Sequence, residues 1–307
     1  MMKFFSLLLT STFLVTAIPG QERPKLSSIS HLSIYTSDAA KTEAFYVHAL
    51  GATKGTDPKD KAGVRYYFNP LQFVEVLPLP AGETDSKNRL HDTGYNVADA
   101  EGMRVYLGAH HVDVPPAVST GPEGTRSFDV HDPEGNLVEF VQPTAHATRV
   151  QANRLGTHII HVGLIVHDAA LEDTFYHALL GFRPFWQGGM TDNTTEWIAQ
   201  QVPDGMDWVE YMVTKGPEKT GIPAAMSQDT AGVLNHFALG VPNIENAYDI
   251  LYERDGLNGK HSPPQLGRDG KWQLNLYDPD GTRAELMEFR LTEKACCSPL
   301  LLPSPSK

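Results

Sequence analysis

One phrase is written twice in this chain of 307 residues. Residues 158–181 read HIIHVGLIVHDAALEDTFYHALLG, and residues 31–51 read HLSIYTSDAAKTEAFYVHALG. His31 aligns with His161, Asp38-Ala39-Ala40 with Asp168-Ala169-Ala170, Phe45-Tyr46 with Phe175-Tyr176, and Leu50-Gly51 with Leu180-Gly181. Each copy reads as an apolar strand that passes through an Asp N-cap into a helix stopped by glycine. A repeat on this scale constrains the architecture before any local feature does, because both copies must build the same unit.

Along the chain, the first copy continues into strands at 64–69 and 72–79 around Asn69-Pro70. A second unit opens with a strand at 90–97 and a helix at 99–109. It closes as a hairpin, 126–130 and 136–142, around Asp132-Pro133-Glu134-Gly135, which is strong turn chemistry. Residues 144–155 show neither an apolar period nor alternation and read as a linker. The third unit adds strands at 195–202 and 207–213, and 215–231 reads as a loop. The fourth has a strand at 234–241, a helix at 244–254 and a hairpin around Asp278-Pro279-Asp280-Gly281. Four such units taken in pairs predict an α+β chain with two tandem domains, 29–143 and 156–291. Helices on one face of each sheet leave the other face free to curve into a cup.

Alternation along the strands sorts residues by face. In HVGLIV, Val162, Leu164 and Val166 suit the helix side, which turns His161, Gly163 and Ile165 to the cup; in HFALGV, His236 takes the cup side. Glu210 interrupts the apolar DWVEYMV and Glu285 the apolar RAELMEF, where a carboxylate needs a partner. The separations His161 to Glu210 and His236 to Glu285 are both 49 residues. A single strand histidine is more often an ordinary hydrogen-bonded core residue. Two imidazoles and two carboxylates at matched spacing suit a borderline divalent ion: zinc, nickel, iron, manganese or cobalt. Such an ion polarises a bound carbonyl or diol, and a carboxylate beside it, Glu210 or Glu285, can serve as base.

The net charge of −12, with no run of Lys or Arg beyond a dipeptide, excludes a nucleic-acid binder of the usual cationic kind. Residues 1–20 read as a secretory signal: Lys3, an apolar run from Phe4 to Ile18, then Pro19-Gly20. That run is shorter than the roughly 20 residues a spanning helix needs, so the expected mature protein is periplasmic or secreted, with no membrane span. Cys296 and Cys297 are the only cysteines, adjacent in a Pro/Ser-rich stretch, 292–307, that is expected to be disordered and to form no disulfide scaffold.

On HVGLIVHD…FYHALLGF, HFALGV and the closing DPEGNLVEF and DPDGTRAEL, the chain resembles the vicinal oxygen chelate superfamily, also called glyoxalase/bleomycin resistance/dioxygenase. The resemblance covers about 29–143 and 156–291 and implies paired βαβββ modules forming half-open barrels around a divalent metal. Its ligand positions fall on His161, Glu210, His236 and Glu285. In the first half they fall on His31, Glu75, Asp92 and Glu139; counting back from Val97 selects Asp92 rather than His91, and a degenerate first site is the simpler reading.

Three functions fit the resemblance. The first, which the four ligand-type residues favour, is an exported metal-dependent lyase or isomerase of the glyoxalase type, acting on a small carbonyl or vicinal-oxygen substrate. Ile165 and Thr214 stand where glutathione-dependent members carry Arg and Asn, which argues against lactoylglutathione. The second is an iron extradiol ring-cleaving dioxygenase with His161, His236 and Glu285 as its triad. That group usually carries a histidine pair where this chain has DWVEYMV and a tyrosine near Asn275; Tyr277 is out of register. The third is a non-catalytic binder of the bleomycin-resistance type, with Trp186, Trp197, Trp208, Trp272 and Met190 lining the cup. Relatives that build the barrel across subunits make a homodimer compatible, although four modules can complete two barrels alone.

Overall fold

The computed structural model describes residues 22–83, 88–144, 149–214, 227–257 and 259–306. The apolar segment 1–20 lies outside them, as do parts of the 144–155 linker and of the 215–231 stretch. The first half supplies β1 (Leu26–Thr36), β2 (Thr53–Thr56), β3 (Val64–Asn69), β4 (Gln72–Pro78), β5 (Leu90–Val97), β6 (Ser119–Thr120), β7 (Arg126–His131) and β8 (Leu137–Gln142). They form one sheet in the order β2-β3-β4-β1-β5-β8-β7-β6. The second half supplies β9 (His158–Val166), β10 (Arg183–Gly188), β11 (Trp197–Gln201), β12 (Trp208–Val213), β13 (His236–Val241), β14 (Gln265–Leu266), β15 (Trp272–Tyr277) and β16 (Arg283–Glu288). Their order, β10-β11-β12-β9-β13-β16-β15-β14, repeats the first with every number raised by eight. The chain is α+β, with two eight-stranded mixed sheets, each a half-barrel.

Within each module the last strand returns parallel to the first, β4 to β1 and β12 to β9, a pairing that requires a crossover. The two modules of a half meet where their first strands pair antiparallel, β1 with β5 and β9 with β13. The strands missing from the sequence reading, β2, β6, β10 and β14, all lie at sheet edges. β10 contains Pro184, tolerated there because an edge strand can spare an N–H, and its register slips between Pro184 and Trp186. The 215–231 stretch, read as a loop, ends in a short helix, Gln228–Leu234.

The repeated helices start as the sequence predicts. Asp38 accepts the backbone N–H of Lys41, and Asp168 accepts those of Ala170 and Leu171. Each then widens from an α-helix into a π-helical turn, at Ala44–Ala49 and Thr174–Leu179, and ends at a glycine with φ 74° or 78°. These helices pack across the halves. Tyr46 stacks near Phe237, and Tyr95 meets Tyr176 and Phe182 edge-on, so one apolar core runs between the two sheets. Burying a side chain of that size contributes about 1.5–3 kcal/mol. The Asp-Pro-x-Gly turns clamp the arrangement: Asp280 accepts from Thr36 and Ser37, and Glu134 accepts from the backbone of His167 and Asp168.

A second apolar cluster, Phe185, Trp186, Trp208 and Met287 among its members, lies apart from that core in the second half. Here the tail departs from expectation. Residues 292–306 are not a disordered extension but run across this cluster, with Leu300 and Leu302 partly buried on it. Leu301 N–H donates to the Phe185 carbonyl (2.9 Å), Gln201 Nε2 to the Pro303 carbonyl (2.9 Å) and Lys271 Nζ to Ser304 Oγ (2.6 Å). Composition gave no sign of this, because the leucines are held by a wall built from distant strands. Cys296 and Cys297 are joined to each other, a bond between neighbours that ties no distant parts of the chain together. Among the described residues no helix is long and apolar enough to cross a membrane.

Candidate metal centre

Four adjacent strands, β12-β9-β13-β16, carry the four residues singled out in the second half. Glu210 and His236 both lie opposite Gly163 on β9; His161 and Glu285 both lie opposite Ala238 on β13. Small residues thus alternate with large ones, and the large side chains converge over them. His161 Nε2 is 3.1 Å from His236 Nε2. Glu285 Oε2 is 3.8 Å from the first and 3.6 Å from the second. Glu210 Oε2 is 3.7 Å from His236 Nε2 but stands outside the tight group of His161, His236 and Glu285.

Burial decides the charge states. Both imidazoles are fully buried, and desolvation, followed by the nearby Arg283 guanidinium, holds them well below the usual histidine range, hence neutral. His236 Nδ1 lies 2.8 Å from the Leu234 carbonyl and 2.9 Å from Arg283 Nη2, while its Nε2 faces His161 and Glu285. Buried His161 Nδ1 has no hydrogen-bond partner among the described residues. Burial and then the charge of Glu285 push Glu210 up to about 8; burial pushes Glu285 up to about 7. Arg283 is the cation at the centre: Nη2 donates to His236 Nε2 (2.7 Å), and Nη1 lies 3.8 Å from Glu285. Lys271 adds a second positive charge felt by Glu285, but it also faces the buried Asp269, so Arg283 and Lys271 stand against three carboxylates, Glu210, Glu285 and Asp269. Two neutral imidazoles whose Nε2 atoms face one another, beside two carboxylates, are a donor set that suits a divalent cation.

The first half repeats the arrangement but fills it differently. Ser33 lies opposite both Glu75 and Asp92, as Gly163 lies opposite Glu210 and His236. Asp92, not His91, therefore holds the place of His236. His31 Nε2 is 2.9 Å from Asp92 and 3.4 Å from Glu139. Each remaining carboxylate meets a cation of the chain: Arg65 Nε donates to Glu75 (2.8 Å), and Lys59 Nζ contacts Glu139. Ser33 Oγ also donates to Glu75. Burial opposes the charge on Asp92, but hydrogen bonds from His31 and His91 win and hold its carboxyl well below the usual range. His31, Glu75 and Asp92 also gather closely enough to hold an ion, but here Arg65 and Lys59 pair with carboxylates of this half, Glu75 and Glu139.

Beside the second centre opens a cavity of about 950 Å³. Glu210, Glu285, Arg283 and Asn275 form its polar wall, while Phe185, Trp186, Trp197, Trp208 and Met190 form the apolar one. Trp272, grouped with the other tryptophans on sequence grounds, instead packs against the main core. Arg283, Lys271 and the tail residue Leu300 are neighbours that sequence reasoning did not single out. For Arg283 the signal existed, since alternation puts it on the same face as Glu285.

A profile of the Glyoxalase/Bleomycin resistance protein/Dioxygenase superfamily matches residues 28–140 and 158–286. No curated protein sequence matches the chain. Among solved structures, homoprotocatechuate 2,3-dioxygenase from Brevibacterium fuscum in complex with 3,4-dihydroxyphenylacetate is similar at 18% identity and TM-score 0.62, covering 88% of this chain and 82% of that one. The homoprotocatechuate 2,3-dioxygenase of Arthrobacter globiformis gives 18%, 0.63, 88% and 82%. An extradiol ring-cleaving dioxygenase from B. fuscum gives 17%, 0.63, 92% and 76%. At these identities the likeness is one of fold.

Proposed function

The chain belongs to the Glyoxalase/Bleomycin resistance protein/Dioxygenase superfamily, and we propose that its second half is a divalent-metal enzyme acting on a small substrate with two neighbouring oxygens, as a lyase or isomerase. His161, His236 and Glu285 would hold the ion, which when bound supplies Lewis acidity toward a carbonyl or diol. The observation that carries this reading is Glu210. It is half-buried beside the group yet outside its tightest circle, and its surroundings make it a stronger base than an ordinary carboxylate. Glu210 takes the substrate proton and returns it. Arg283 places a positive charge where negative charge would develop on substrate oxygen, and the tryptophan wall offers an apolar surface beside it.

The test is elemental analysis of purified protein after supplementation, with an expected stoichiometry of about one divalent ion per chain on the two-imidazole donor set. E210Q should keep that ion and lose solvent proton exchange into a bound α-hydroxycarbonyl probe. A metal-free wild-type protein after supplementation overturns the reading and leaves a small-molecule binder.

A second reading has its own observation. Two histidines and one carboxylate form the tightest group, the pattern of non-haem iron oxygenases, beside a cavity with aromatic walls. The similar B. fuscum enzyme binds 3,4-dihydroxyphenylacetate, and a catechol would suit this cavity too. Oxygen uptake by the iron-loaded protein with catechols would favour ring cleavage over isomerisation. For either chemistry, export rests on residues 1–20, and fractionation of cells expressing the full chain tests it.

A further inference from the structure

The tail brings the one disulfide among the described residues to the mouth of the cavity. Cys296 and Cys297 are bonded to each other. Cys297 is exposed and Cys296 half-buried. The Cys296 carbonyl accepts the indole N–H of Trp186, a wall of the cavity, at 3.0 Å. Arg268 Nη2 lies 2.9 Å from Cys296 Sγ and 3.6 Å from Cys297 Sγ. The same guanidinium pairs with Asp192 and donates from Nε to the Gly189 carbonyl (3.2 Å), so it clips the segment bearing Met190 at the mouth. The two-residue ring also coincides with a φ of 73° at Cys297, a conformation rarely adopted outside glycine.

We infer that Cys296–Cys297 is a thiol–disulfide exchange site for dithiol reductants, and that its redox state sets the grip of the cavity mouth. A thiolate of the reductant attacks the exposed Cys297 sulfur. The Cys296–Cys297 bond breaks, and Cys296 leaves as a thiolate beside Arg268, the better leaving group because the guanidinium stabilises its charge. The second thiol of the reductant then attacks its own sulfur bound to Cys297, closes a cyclic disulfide and releases the Cys297 thiol. Two electrons pass from the reductant to the chain; one proton from each reductant thiol goes to solvent or to Cys297. A monothiol fares worse. Cys296, the neighbouring residue, attacks the mixed disulfide intramolecularly and expels it.

Reduction gives Arg268 a thiolate to compete with Asp192, and frees Cys297 to leave its left-handed conformation. The clip on Gly189–Asp192 loosens, and the Cys296 carbonyl shifts under Trp186. None of this depends on metal or on the chemistry proposed above.

The experiment uses full-length purified protein without added metal. Its readouts are thiol count, tryptophan emission and the affinity of the apolar probe 1-anilinonaphthalene-8-sulfonate. Air-oxidised protein should show no free thiol. Dithiothreitol should release two thiols without denaturant, change tryptophan emission and weaken probe binding severalfold, while an equal thiol concentration of glutathione should not. C296S/C297S should be insensitive to dithiothreitol, and W186F should lose the emission change while keeping the thiol release. Two free thiols in air-oxidised protein, a disulfide that resists dithiothreitol until denaturation, or identical emission and probe affinity in both redox states would each overturn the inference.

Discussion

The imidazole of His236 rests on the α-carbon of Gly163: a methyl group added there would come within 2.0 Å of Cε1 and 2.2 Å of Nδ1. His31 rests in the same way on Gly94 in the first half, with a corresponding approach of 2.1 Å. Both rings are fully buried, so neither has room to move aside without disturbing its neighbours. The two contacts are sterically alike, but only one belongs to the group proposed to hold metal, so they separate site geometry from stability.

Gly163→Ala should cost about 1–3 kcal/mol by overpacking and, by displacing His236, lower divalent-ion affinity about 10-fold or more. Gly94→Ala should cost similar stability and leave affinity unchanged. Chemical denaturation alongside metal titration reads both quantities. Equal losses of affinity in the two variants would show that the second half is not where the ion binds.

The first half's charges call for a different substitution. Arg65 is buried over the Phe73 ring, bonded to Glu75 and 3.2 Å from Asp57. Arg65→Met keeps the apolar stem but leaves Glu75 without its cation, and breaking a buried pair in this way costs about 3 kcal/mol or more. Adding Glu75→Gln should recover part of that loss. Urea denaturation of the single and double variants measures both; a single variant as stable as the parent would mean that water, not protein, solvates Glu75.

Much of this arrangement could be read in advance, and the reason is locality. The Asp caps at Asp38 and Asp168, the glycine stops and the Asp-Pro-x-Gly turns each act within a few residues. Alternation along β9 and β13 turned His161 and His236 to the cup because side chains on a strand have a period of two. Counting placed Asp92 at the position of His236 for the same reason. What escaped notice depends on distant partners. Lys59 and Arg65 close the first site from a loop and a neighbouring strand. β10 is broken by Pro184, and the tail is held by a wall of Phe185, Trp186 and Trp208 that no local pattern announces.

Glu172 should carry a separable share of the acid–base behaviour of the fold, beside Glu210, Glu285 and Asp278, which are raised in the same direction. It is buried near Asp132; one oxygen accepts the Glu134 N–H at 3.0 Å and the other has no partner among the described residues. Burial and the Asp132 charge push it from 4.5 up to about 8. With its pKa raised in the folded state, the folded protein binds the proton more tightly than the unfolded one. The stabilising contribution is therefore complete below about 4.5 and is lost as pH rises through about 8. Glu172→Gln removes this share of the dependence and leaves that of Glu210, Glu285 and Asp278. Melting temperatures should fall more steeply from pH 5 to pH 8.5 in the parent than in the variant, and parallel curves would place the titration elsewhere.

The tail offers the last test. Leu300 and Leu302 are partly buried on the cluster of Phe185, Trp186 and Trp208, and Ala295 is buried within it. Deleting 295–307 returns that apolar surface to water, and two half-buried leucines contribute about 2 kcal/mol together. The deletion should lower the melting temperature and flatten the near-ultraviolet tryptophan circular dichroism. The first half, whose sheet closes without the tail, should keep its backbone amides protected from hydrogen exchange. Selective loss of protection in β10, β11 and β12 would mark the tail as a fixed part of the second cup, whereas unchanged exchange there would show that its leucines only rest on the wall.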